Sequence, residues 1–138
     1  MTGKIKTFLL LSLALSLTLG LTACMRQAAL QNPANLPVMS ASGKALKPAQ
    51  VRQAILDACR EKGWIARELT PGVISASLAV RAHNAEVEIP YSGTNYSILY
   101  KHSSNLDYNA ADRTIHNQYN NWVDYLRRSI DARIAEMK

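Results

Sequence analysis

Apolar residues recur at helical spacing in two stretches of the chain and at strand spacing between them. Val51, Ile55, Ala58 and Cys59 fall three or four residues apart, which predicts a helix from about Pro48 to Lys62. Pro48 suits the first helical turn, where its missing N–H is no loss. Gly63 follows as a C-terminal cap. The period then drops to two. "WIAREL" reads as one strand and "VISASLAVRA" as a second, with "TPG" between them as a tight turn. In the second strand Ile74, Ala76, Leu78 and Val80 share one face, and Ser75, Ser77, Ala79 and Arg81 share the other.

Two further turns complete a four-stranded meander. His83 and Asn84 form a two-residue turn that pairs Val80 with Val87, Leu78 with Ile89, and Arg81 with Glu86. A loop centred on Gly93 and Thr94 pairs Tyr91 with Tyr96, Ile89 with Ile98, and Val87 with Tyr100. Pro90 disturbs this ladder because it has no N–H to donate. The register slips there, a bulge forms, or the strand ends near Ile89.

A second helix is expected from about Ala110 to Met137. Asn109 caps it, and Asp112 stands three positions on, as in a capping box. Ile115, Tyr119, Trp122, Leu126, Ile130, Ile134 and Met137 make its apolar stripe. The expected fold is α+β: a two-layer sandwich in the order α-β-β-β-β-α, with both helices on one face of an antiparallel sheet. The other sheet face is polar and carries Ser75, Ser77, Arg81, Glu86, Glu88, Ser97 and Lys101.

The chain before Pro48 follows different rules. Lys4 and Lys6 precede an apolar run from Phe8 to Leu19, broken only by Ser12, Ser16 and Thr18. This is the layout of a secretory signal, and the run is short for a membrane span, which needs about 20 apolar residues. It closes on Leu21, Thr22, Ala23 and Cys24. "LTAC" resembles the bacterial lipobox. The resemblance implies a signal peptide over residues 1–23, diacylglycerol on the Cys24 sulfur and cleavage before it. Met25 stands where an Asp would resemble an inner-membrane retention signal in enterobacteria, so the outer membrane is favoured over the inner. Alternative readings are an ordinary cleaved signal with a free Cys24, or an uncleaved anchor. Residues 24–47 carry Pro33, Pro37 and Gly43 with no sustained period, and read as a lipidated cysteine and a flexible tether reaching roughly 75 Å at full stretch. Residues 48–138 then form one small domain.

Charge and cysteine count narrow the function classes. The formal charge of +6 falls to +4 over the 115 residues that follow position 23. That mild excess suits anionic lipid or cell-wall polymers, and without a basic run it does not point to nucleic acid. If Cys24 carries lipid, Cys59 is left alone, on the apolar face of the first helix.

"YSILYKHSSNLDYN" followed by "IHNQYNNWVDYL" resembles a group of small uncharacterised proteobacterial lipoproteins, over roughly Gly63 to Leu126. The resemblance implies the lipobox, helix, meander and final helix, and no activity. The residues themselves offer one polar tract, in which Tyr100, His102, Asn105, Tyr108, His116 and Asn120 crowd a loop and a helix start. They make a candidate pocket for a polar ligand such as a cell-wall glycan, a peptide or an envelope protein. The competing reading is internal, with Asn and Ser holding the loop backbone and Tyr filling the core. A hydrolase-like alternative would join Asp112 and His116 to Ser103 or Ser104, although no nucleophile elbow is present. His83, His102 and His116 lack metal-ligand spacing, and no phosphate loop occurs, so no cofactor is expected. The expectation is a lipid-anchored, non-catalytic binding or scaffold module.

Overall fold

A computed structural model describes residues 26–138; the expected signal peptide and lipidation site, residues 1–24, lie outside the described residues. β1 is Gln27–Ala29, β2 is Leu36–Pro37, β3 is Ile65–Thr70, α1 is Pro48–Glu61 and α2 is Asn117–Glu136. The remaining strands are β4 (Val73–Val80), β5 (His83–Pro90), β6 (Asn95–Tyr96), β7 (Leu99–Ser104) and β8 (Thr114–His116). Four of them form one antiparallel sheet in the order β3-β4-β5-β7, and both helices share a core with one of its faces. The α+β architecture matches the expectation.

α1 starts at Pro48, and the Lys47 N–H finds the Gln50 Oε1 at 2.9 Å. It ends in a Schellman motif. Gly63 adopts φ +80°, its N–H donates to the Arg60 carbonyl, and the Trp64 N–H donates to the Cys59 carbonyl. Val51, Ala54, Ile55, Ala58 and Cys59 are buried against Ile74, Ala76, Val87 and Ile89 of the sheet. The far end of α1 is tied to α2 by Glu61, which accepts from Arg133 at 2.8 Å and Ser129 at 3.1 Å. Those donors, Arg133 first, hold the Glu61 carboxyl below the ordinary carboxylate range.

The register of the β4–β5 hairpin differs from expectation. The turn is Arg81–Ala82, not His83–Asn84, so Val80 faces His83, Leu78 faces Ala85, Ala76 faces Val87 and Ile74 faces Ile89. The displacement is by an even number of residues, so every side chain keeps its face. Arg81 takes φ +57°, and the turn is held from a distance: Asn105 Nδ2 donates to the Ala82 carbonyl.

Pro90 has the effect its chemistry demands. Tyr91 still faces Tyr96 and Val87 faces Tyr100, and the Ser97 N–H donates to the Pro90 carbonyl at 3.0 Å. The return bond has no donor, and the third and fourth strands part between Tyr96 and Leu99. The short piece β6 pairs instead with β2.

The second helix begins later than its stripe implied. Asn109 does accept from the Ala111 and Asp112 N–H groups through Oδ1, but the unit it closes is a turn. Asn109 and Thr114 then bridge, Thr114–His116 forms β8, and His116 rather than Asn109 is the N-cap of α2. Ile115, Tyr119, Trp122, Leu126, Ile130 and Ile134 are all buried.

Residues 26–47 are not a free tether. They form a strap laid along α2 and over the outer edge of β7. β1 pairs with β8, Ala28 opposite Ile115. Asn120 of α2 accepts from the Gln31 N–H at 3.0 Å and donates to the Ala29 carbonyl at 2.9 Å. Asn32 Oδ1 accepts from the Tyr100 N–H and the Pro33 carbonyl from the Ile98 N–H, which satisfies backbone groups of an edge strand. Further on, the Ala41 N–H donates to the Ala135 carbonyl near the end of α2. Leu30, Leu36 and Val38 pack on the core and Leu46 is within it. A composition rich in Pro, Asn and Ser reads as a linker because these residues make few periodic contacts. Here they make singular ones.

Candidate functional site

The polar tract separates into individual roles. Asn120 is buried and holds the strap. Asn105, at φ +57°, uses its amide on the Ala82 carbonyl and its own carbonyl on His83 Nδ1, at 2.7 Å. Tyr100 lies between Tyr108 and Tyr119, with ring centroids 4.4 Å and 5.5 Å away, and its hydroxyl shares a 2.8 Å hydrogen bond with Ser103. Tyr108 is the exposed member of that stack. His102 is exposed on the outer sheet face opposite Glu86 and lines a groove with Ile65, Ser77 and Ala79. The six candidates therefore do not converge on one pocket.

The groups of the hydrolase-like alternative are also engaged apart. Asp112 accepts from Asn109 Nδ2, Ser103 bonds Tyr100, Ser104 accepts from Asn84, and His116 Nδ1 accepts from the Gln118 N–H. Among the described residues no group of three or more His, Cys, Asp or Glu side chains is placed to hold a metal ion. Burial pushes the Cys59 thiol up to about 12, which keeps it protonated and makes it a core residue.

Among the described residues one buried side-chain group is unsatisfied. The Tyr119 hydroxyl is fully buried with no hydrogen-bond partner, and burial drives its pKa up. A buried hydroxyl without a partner is a net cost, so Tyr119→Phe should stabilise the fold by about 1 kcal/mol. Urea unfolding checks this; a lower midpoint would show that the hydroxyl has a partner.

What the fold does assemble is a cleft of about 340 Å³ at the end of the molecule where the β4–β5 turn meets the start of α2. Val80, Leu106 and Trp122 supply apolar surface, and Arg81, His83, His116 and Gln118 supply the polar rim. The two imidazoles face each other, with centroids 6.4 Å apart and planes inclined by 28°. Their hydrogen bonds give the two Nδ1 atoms opposite roles. A carbonyl can only accept, so His83 donates through Nδ1–H. A backbone N–H can only donate, so His116 accepts on Nδ1 and carries its proton on Nε2. The rim thus offers the His116 Nε2–H donor and the Arg81 cation.

Only His116 among these was a sequence candidate. By local pattern His83 is a turn residue, Arg81 belongs to the polar sheet face and Trp122 to the apolar stripe of the second helix. A register with the turn at Arg81–Ala82 places His83 at the end of the inner face, beside the helix start, and that register was the missing signal.

Among the described residues no helix is long and apolar enough to cross a membrane. No protein-family model matches the chain, and neither a curated protein nor a solved structure shows significant similarity to it.

Proposed function

We propose that the chain is a lipid-anchored protein of the bacterial cell envelope, held through Cys24, whose folded domain is a non-catalytic binding module. "LTAC" at the end of a complete signal layout supports the anchor. The cleft carries the binding half: an apolar floor with a cation and a donor on its rim suits a polar or anionic ligand. The separate engagement of Asp112, His116, Ser103 and Ser104 lends the hydrolytic reading no support.

The anchor is tested by Cys24→Ser. Wild-type cells should incorporate labelled fatty acid into the processed protein, and the variant should accumulate as an unlabelled precursor. Normal processing of the variant would overturn the anchor. For the cleft, a photoreactive side chain at position 83 should crosslink in intact cells to an envelope component that the same group at Gln53 does not reach. Indistinguishable adducts from the two positions would count against the cleft.

A further inference from the structure

Resting on the proposed anchor at Cys24, we infer that the end of the domain bearing the His83–His116 cleft lies flush on the bilayer and that the cleft receives an anionic phospholipid headgroup. The argument begins with chain length. Cys24 is two residues from Arg26, so their Cα atoms are no more than about 7 Å apart. Arg26 is already part of the fold: its carbonyl accepts from the Asn117 N–H at 2.7 Å, and Gln27 stands opposite His116. Asn117 lies between His116 and Gln118, both of which line the cleft. Because residues 26–47 are a docked strap, no spacer separates an acylated Cys24 from this end of the molecule. Acyl chains on that cysteine would hold the cleft at headgroup depth.

The chemistry of the end fits that position. Arg26 and Arg81 are exposed there, and Arg81 takes part in no ion pair among the described residues. The carboxylates nearby are Asp107 and Asp112, and Asp112 is bonded to Asn109. Arg81 and the His116 Nε2–H are donors to a phosphate, while Val80 and Trp122 offer apolar surface to the glycerol portion. Tyr108, 39% exposed in the loop that Gln27 bonds through the Asp107 carbonyl, adds an aromatic ring of the kind favoured at a membrane interface.

The test uses the full mature protein, extracted from membranes and reconstituted into vesicles. A fluorophore is placed on Asn117→Cys, beside the cleft, or on Gln53→Cys, on α1; the buried Cys59 thiol does not compete for the label. Lipids with a nitroxide on the headgroup report proximity. Quenching should be roughly threefold stronger at position 117 than at 53 in vesicles containing phosphatidylglycerol, and Arg81→Gln should remove the gain over pure phosphatidylcholine. Mass spectrometry of the amino-terminal peptide is run on the same sample. Equal quenching at both positions on an acylated chain, or an Arg81→Gln variant that keeps the full gain, would overturn the inference and leave the anchor standing. An unacylated Cys24 would overturn the anchor, and the inference with it.

Discussion

Asn120→Ala should lower the free energy of unfolding by about 2 kcal/mol and free the amino-terminal half of the strap. One side chain here serves two backbone groups. Its oxygen takes the Gln31 N–H and its nitrogen bonds the Ala29 carbonyl, across 89 and 91 residues of sequence. Asn120 is itself 4% exposed, so removing the amide leaves both backbone groups facing a small apolar hollow. Asn120→Asp should be no milder, because its second oxygen would stand against the Ala29 carbonyl with nothing to donate. Amide exchange gives the specific readout: the Gln31 N–H should lose its protection in both variants, while the Val87 and Ile89 amides of the central sheet follow only the global stability. Retained protection at Gln31 would show that β1 and β8 hold the strap without this residue.

Gly93→Ala should cost more, about 3 kcal/mol, for a purely steric reason. A Cβ at this position would overlap the Leu46 carbonyl oxygen and would lie 3.7 Å from Pro48 Cδ. The opposing atom is backbone, so no rotamer change relieves the contact. Either the Asn95–Tyr96 segment or the chain entering α1 must move, and Leu46, 6% exposed, leaves its place in the core. The denaturation midpoint should fall, and protease cleavage between Ser40 and Lys47 should appear before global unfolding. A variant with wild-type stability would mean that the two backbones are not in contact.

Both positions show where sequence reasoning stops. Pro48 and Gly63 bracketed α1 correctly because capping is local, and Ile74, Ala76, Leu78 and Val80 revealed the inner face because its period is two. The turn at Arg81–Ala82 was hidden because its support comes from Asn105, more than 20 residues away, while His83–Asn84 looks the better turn by local preference. Ile115 kept the helical stripe in phase with Tyr119 while belonging to a strand, so periodicity alone ran the helix back through β8. The strap was the largest loss. Leu30, Leu36 and Val38 pack on the core and Leu46 lies within it, but their irregular spacing leaves no period to read. The candidate site failed for the same reason. Tyr100, His102, Asn105, Tyr108, His116 and Asn120 are close in sequence, but the bulge at Glu86–Val87 and the turn at Asn109–Thr114 keep only Tyr100 and Tyr108 stacked together and separate the others.

The strap also sets an order of events. Its partners Thr114–His116, Asn120 and Ala135 belong to the last fifth of the chain, so the first segment of the domain to leave the ribosome is the last to be satisfied. Contacts of such long sequence separation slow folding, since loop closure opposes them until the rest has formed. Until α2 is made, the amino-terminal part of the strap lacks the Asn120 amide and the β8 strand that hold it. That interval is when a holding chaperone has most to offer this chain.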